Sequence, residues 1–179
     1  MKRSLLFARG QFLAVAALVG GAILGGPGVA SSVEPSVGAE EHCAVQVFDV
    51  ALEAASDHPV VCFATEEEAI AFASQSFGRG VQQTSVLGTI YSETYLAGSS
   101  LTFWGEGTCA GNTFGFSSLS SSWVKDIRSI KAAGSCWVTL YTASGYGGNT
   151  LNCTPYCNTI GSWAGNTRSL VFRPTGTFG

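Results

Sequence analysis

Tyr141-Thr-Ala-Ser-Gly-Tyr146-Gly-Gly148, with Leu151 behind it, repeats at an offset of 50 residues the earlier Tyr91-Ser-Glu-Thr-Tyr-Leu96-Ala-Gly98 and Leu101. Further on, Ser122-Trp123-Val-Lys-Asp126-Ile-Arg128-Ser129-Ile130 returns as Ser162-Trp163-Ala-Gly-Asn166-Thr-Arg168-Ser169-Leu170 at an offset of 40. Repetition in register means one supersecondary unit built twice. The change of offset gives the first copy about ten extra residues, which fit its Gly105 to Phe114 loop.

From Ser85 to Phe172 the chain consists of short runs rich in Val, Ile, Thr, Tyr, Phe and Trp, punctuated by glycine and serine. That pattern predicts an all-β domain. The expected strands are Val86 to Tyr91, Ser100 to Trp104, Phe114 to Phe116, Ile127 to Ala132, Trp137 to Tyr141, Thr150 to Cys153 and Ser169 to Arg173. A weaker eighth near Thr159 completes two sets of four. The serine-rich Ser117 to Ser122 reads as a loop.

The first 30 residues read as a secretory signal: Lys2, Arg3 and Arg9, an apolar Phe12 to Leu24 run, and Gly28-Val-Ala30 as the cleavage site. The apolar run is too short for a membrane span, which needs about 20 residues. A retained anchor is the alternative; the expectation is cleavage after Ala30 and a soluble, extracellular mature chain with no membrane contact. Residues 31–85 then form an acidic N-terminal segment, and 86–179 the repeat domain. The segment carries nine acids against one arginine, a net of −8, whereas residues 86–179 carry five bases against three acids, a net of +2. It reads as a pro-segment docking by charge or as a solubilising tail. The small positive charge of the repeat domain excludes nucleic acid as a partner.

Within the acidic segment, residues 31 to 42 are expected to lack structure. Ala44 to Val50 and Val60 to Phe63 read as strands, and Thr65 with Glu68 as the capping pair of a helix whose apolar face is Ala69, Ile70, Phe72 and Ala73. That helix should end near Ser76, before a Gly78 to Thr84 linker.

In an exported chain the six cysteines read as disulfides. Six allow 15 pairings. Cys43 with Cys62 are alone in the N-terminal segment and Cys153 with Cys157 flank a short turn, which leaves Cys109 with Cys136. Zinc at Cys153 and Cys157 would require further ligands, and the repeat domain has no histidine.

Tyr141-x-x-x-x-Tyr146-x-Gly148 followed by Ser169, and Tyr91-x-x-x-x-Leu96-x-Gly98 followed by Ser129, resemble the Greek-key motif of the βγ-crystallins. The resemblance covers about residues 86 to 174 and implies a double Greek-key sandwich, here preceded by a small α+β segment. In that family the first two strands of each motif make a hairpin folded over the sheet, glycine takes a backbone angle closed to other residues, and the late serine holds the hairpin down. Leu96 and Ala97 replace the aromatic and Gly147 of the second copy, which predicts a looser first hairpin. In layout, secretion and disulfides the chain is also similar to secreted peptidase inhibitors and killer-toxin-like proteins of crystallin fold.

Microbial crystallin relatives bind calcium through loops with the pattern Asn/Asp, Asn/Asp, any, any, Ser/Thr, Ser. The matching stretches are Lys125-Asp126-Ile-Arg128-Ser129-Ile130 and Gly165-Asn166-Thr-Arg168-Ser169-Leu170. Asp126, Ser129, Asn166 and Ser169 are therefore the calcium candidates implied by the resemblance. The competing reading makes turns of Asp126 and Asn166 and hairpin pins of Ser129 and Ser169. Calcium takes six to eight oxygens, and Lys125, Arg128 and Arg168 bring positive charge instead.

Trp123 and Trp163 match across the repeat and are expected in core packing, with sugar stacking as the competing reading; Trp104 and Trp137 are expected nearer a partner surface. Catalysis is not expected. Nucleophile activation usually needs a histidine, and His42 and His58 both lie in the acidic segment; Glu93, Glu106 and Asp126 do not form a paired carboxylate site by spacing. The expectation is a secreted, monomeric, non-enzymatic binding or structural module without a required cofactor, calcium remaining open. The alternative is an extracellular inhibitor or toxin acting on a protein, presenting the Gly105 to Thr113 loop.

Overall fold

Strand β1 (His42–Gln46) opens the folded chain and is followed by β2 (Phe48–Asp49), β3 (Val60–Phe63) and helix α1 (Glu66–Ala73). The first motif then supplies β4 (Thr84–Tyr91), β5 (Ser100–Glu106), β6 (Phe114–Phe116), helix α2 (Ser121–Asp126) and β7 (Ser129–Ala132). The second supplies β8 (Cys136–Ala143), β9 (Gly147–Cys153), β10 (Tyr156–Cys157), a 3-10 turn at Gly161–Trp163 and β11 (Ser169–Pro174). This computed structural model describes residues 40–51, 58–75 and 83–179. The signal segment, the start of the acidic segment, the expected helix end at Ser76 and the linker from Gly78 lie outside the described residues, apart from Gln83 and Thr84.

The seven expected strands form within one to three residues of their sequence bounds. The eighth is Tyr156–Cys157 instead of a strand at Thr159, because the Cys153 to Cys157 link folds the chain back at once and pairs Cys157 with Ile130. Two sheets face each other, ordered β10-β7-β4-β5-β1-β3 and β2-β6-β11-β8-β9. The third strand of each motif, β6 or β10, pairs in the sheet of the other motif. Neither motif can therefore form its sheet alone.

The N-terminal segment is built into both sheets. β1 pairs in parallel with β5, Val45 opposite Phe103, and antiparallel with β3, Cys43 opposite Cys62. One residue later the chain crosses the sandwich: Val47 N–H donates to the Trp104 carbonyl at 2.8 Å, and β2 pairs with β6. The run expected as one strand is thus split by its passage from sheet to sheet. The boundary drawn at residue 85 falls inside a single compact unit that holds all the described residues.

Between the sheets lie Val45, Leu87, Ile90, Phe103, Ile130, Val138, Leu140, Leu170 and Phe172, all fully buried. Phe103 meets both Phe116 and Phe172 at ring centroid distances of 5.4 Å. Gly88 sits at a bulge in β4, where a β-carbon would lie 2.5 Å from Phe172 Cε1 and 2.7 Å from the Lys131 carbonyl oxygen. Outside the first sheet, α1 buries Ala69 and Ala73 against Ala44 and Trp104. Glu68 N–H donates to Thr65 Oγ1 at 3.2 Å, as the capping pair predicts. Ile70, expected on the apolar face, is 36% exposed.

Burying a valine contributes about 1.5–3 kcal/mol. Val45→Ala and Val47→Ala should each lower the unfolding free energy by roughly 1–3 kcal/mol with an unchanged denaturant slope. Chemical denaturation followed by tryptophan fluorescence checks this; a detachable acidic tail would leave both variants at wild-type stability.

Candidate functional site

Each motif folds its first hairpin over the sandwich by leaving ordinary backbone conformation at matched positions. Tyr95, Leu96 and Gly98 have φ of 60°, 63° and 78°; Gly145, Tyr146 and Gly148 have 67°, 62° and 83°. Left-handed backbone turns N–H and C=O groups away from the ladder, so something else must satisfy them. A serine from the last strand of each motif does so. Ser129 Oγ donates to the Glu93 carbonyl at 2.5 Å and accepts from Leu96 N–H at 3.0 Å. Ser169 Oγ donates to the Ala143 carbonyl at 2.7 Å and accepts from Tyr146 N–H at 3.1 Å. Both serines are fully buried.

With the strand exchange, these two pins define the fold. It is a crystallin-type double Greek key. No family model matches the chain, and no curated protein matches it. Among solved structures it is similar to the N-terminal domain of Protein S, at 13% identity, 50% of this chain, 97% of that one and a TM-score of 0.36. A βγ-crystallin domain from Flavobacterium johnsoniae gives 15% identity, 51% and 99% coverage and a TM-score of 0.35. One from Clostridium beijerinckii gives 16%, 49% and 97%, and 0.37. The fold assignment rests on the strand order and the pins.

The two hairpins of the crystallin-type domain differ in detail, but the first is not left loose by the substitutions at 96 and 97. In the second the strand ladder continues to Ala143 opposite Gly147; in the first it ends at Tyr91 opposite Ser100, but Ser92 N–H still donates to the Ser99 carbonyl at 2.9 Å and Glu93 N–H to the Ala97 carbonyl at 3.0 Å. Tyr146 packs edge-on against Tyr141 at 6.0 Å, and Leu96 has no ring to offer. Each hairpin is also tied to the other motif from its matched position: Tyr95 N–H donates to the Asn158 carbonyl at 2.7 Å and Gly145 N–H to the Ser117 carbonyl at 2.8 Å.

Of the calcium candidates, Ser129, Ser169 and Asn166 make side-chain hydrogen bonds within the protein. The serine hydroxyl protons are committed to carbonyls, and Asn166 Nδ2 donates to the Ser162 carbonyl at 2.9 Å. Asp126 is exposed at the end of α2, next to Lys125 and near Arg128, whose guanidinium donates to the Lys125 carbonyl at 3.1 Å. Among the described residues the grouped carboxylate and thiol atoms of Glu41, Cys43 and Cys62 are the one potential metal cluster, and its two sulfurs form a disulfide. One exposed carboxylate beside Lys125 is a sparse donor set for an ion that takes six to eight oxygens.

The acidic segment brings a histidine to a serine, which sequence spacing does not reveal. His42 Nδ1 lies 2.9 Å from Ser100 Oγ, and His42 Nε2 lies 4.0 Å from Glu40. A Ser-His-carboxylate order invites a nucleophile reading. Ser100 is fully buried in β5, however, so no substrate carbonyl reaches its Oγ; the contact ties β1 to β5. The other histidine, His58, lies against the Gln46 carbonyl at 2.8 Å.

Three of the four tryptophans sit as the repeat implies or deeper. Trp123 and Trp163 pack part-buried on the main core. Trp104, expected near a partner surface, is only 7% exposed, because α1 covers it with Phe72 at 6.3 Å. Trp137 is half-buried beneath Phe178 at 5.2 Å. The three expected disulfides form: Cys43 with Cys62, Cys109 with Cys136 and Cys153 with Cys157. The serine-rich loop contains α2, so Trp123 stands on a helix.

The matched tyrosines have taken different partners. Tyr141 hydroxyl accepts from Arg173 at 2.8 Å, whereas Tyr91 hydroxyl donates to Glu66 Oε1 at 2.6 Å. Burial first, then the Glu66 carboxylate, pushes the Tyr91 pKa well above its ordinary value.

Ser129→Ala and Ser169→Ala each leave a buried N–H and C=O unpaired, at a cost of about 1–3 kcal/mol per variant. Equilibrium denaturation should show midpoints lowered in both. If either matches wild type, the hairpins are held by something else. Because Tyr91 has its pKa raised by folding, its contribution is full below the unfolded tyrosine pKa of about 10 and falls as pH rises above it. Tyr91→Phe should lose about 1.5 kcal/mol at pH 7 and show a flatter stability profile from pH 9.5 to 11.5; parallel profiles in thermal melts would contradict the assignment.

Proposed function

We propose that the chain is a secreted, monomeric, non-enzymatic binding or structural module whose crystallin-type loops serve as hairpin pins. One observation carries this reading: Ser129 and Ser169, the serines at the calcium-loop positions, are fully buried and spend their hydroxyls on the hairpins. Asp126 then remains the lone carboxylate of the two loops, with Lys125 beside it. The signal-like N-terminus supports export, and three disulfides are compatible with an oxidising compartment.

The inhibitor reading retains one support, the fixation of the Gly105 to Thr113 loop. Cys109 anchors it to Cys136, and Asn112 Nδ2 donates to the Thr108 carbonyl at 3.0 Å. Its exposed residues are Glu106, Thr108, Ala110, Gly111 and Asn112, so it offers no large apolar or basic side chain to enter a protease pocket. Undiminished rates of trypsin, subtilisin and a thermolysin-type enzyme in excess protein would remove it.

Calorimetric titration with calcium should give no saturable heat, and melting temperatures in calcium and in chelator should agree. Saturable binding with a raised melting temperature would overturn the pin reading, since a ligand that binds only the folded state must stabilise it.

A further inference from the structure

The acidic segment, the first hairpin and α2 meet at a cleft of about 330 Å³ lined by Glu41, Ser92, Ser99, Ser122, Trp123 and Asp126. Both walls are fixed. Glu41 N–H donates to Ser99 Oγ at 3.0 Å, and its carbonyl accepts from Ser100 N–H at 3.0 Å. Opposite, Val124 buries α2 against the core, and Arg128 N–H donates to the Tyr91 carbonyl at 2.9 Å. The size falls within the range of small-ligand sites.

Two carboxylates share this cleft with an indole and three hydroxyls, and no lysine or arginine lines it. Neither Glu41 nor Asp126 is in an ion pair among the described residues, where the charged contact is His42 with Glu40. A neutral sugar would leave two negative charges desolvated without compensation, which is costly. A hard metal ion would gain nothing from the indole. An organic ammonium suits this lining: its charge would answer the carboxylates, its hydrogens would be accepted by hydroxyls, and its carbon atoms would lie against the indole.

We propose that this cleft binds an alkylammonium group, supplied by a free amine or by a lysine side chain. The proposal rests on the reading of the chain as a binding module and names the chemistry of its ligand. The test follows the Trp123 indole N–H resonance of the full mature chain during titration with butylammonium chloride and, separately, with N-acetyl-lysine methylamide, calcium chloride and glucose. Saturable movement with either ammonium probe is expected, and the two ammonium arms separate a free amine from a lysine side chain. Binding should weaken about twofold to fivefold in Glu41→Gln and in Asp126→Asn, and further with added salt. Both carboxylates are exposed, so these variants keep the fold, which unchanged resonances elsewhere confirm. Movement with calcium or glucose alone, ammonium binding indifferent to both variants, or no movement with any probe overturns the proposal. A calcium response confined to other resonances would instead count against the hairpin-pin reading, so the two failures are distinguishable.

Discussion

A buried serine hydroxyl that donates once and accepts once holds each half of this molecule closed. The folded-over hairpins need left-handed backbone at Tyr95, Leu96 and Gly98 and again at Gly145, Tyr146 and Gly148. That geometry removes ladder hydrogen bonds just where the chain must press against the sheet. Ser129 and Ser169 replace them from β7 and β11, so the last strand of each motif fixes its first hairpin. A hydroxyl has one proton, and both protons are used. Each proton closes onto a hairpin carbonyl while a lone pair of the same oxygen takes a hairpin N–H, so one buried atom satisfies both groups that the left-handed turn leaves open.

The exchange of third strands makes the two pinned halves interdependent. β6 completes the sheet of the second motif and β10 that of the first. Cys153 with Cys157 joins strands belonging to different sheets, and Cys109 with Cys136 ties the enlarged β5 to β6 loop to the start of β8. The acidic segment adds to the same arrangement instead of leaning on it. It gives β1 and β3 to one sheet and β2 to the other, with Val45 and Val47 inside the core. A segment removable by proteolysis would not be expected to supply interior valines, a disulfide and strands to both layers.

What could be read from the residues followed from local signals. Duplication in register marked the motifs, alternating β-branched and aromatic runs marked seven strands, and Thr65 with Glu68 marked a helix start. The parallel pairing of β1 with β5 was not legible, because a strand's alternation encodes which face it buries and not which edge it joins. The same long-range placement brought His42 to Ser100 and put α1 over Trp104. Helix α2 was hidden by its serines, which favour turns locally; here burial of Val124 overrides that preference. The pin serines were legible because the repeat itself singled them out. Asp126 was legible as a carboxylate in a loop but not as one wall of a cleft.

The cleft shows how integration of the acidic segment extends a simple duplicated domain. Register in β1 is set by apolar burial: Val45 must face the core opposite Phe103, and a shift of one residue would turn it outward. With that register fixed, Glu41 stands just ahead of the strand, next to the start of β5, and its main chain is held by Ser99 and Ser100. The corresponding end of the first motif supplies Ser122, Trp123 and Asp126 from α2, an element whose counterpart in the second motif is a three-residue 3-10 turn. The two motifs share the pins, but among the described residues only the first motif gains an added strand, β1 between β5 and β3, that carries a carboxylate to this face. The asymmetry in charge along the chain thus becomes an asymmetry between the two halves of the folded molecule.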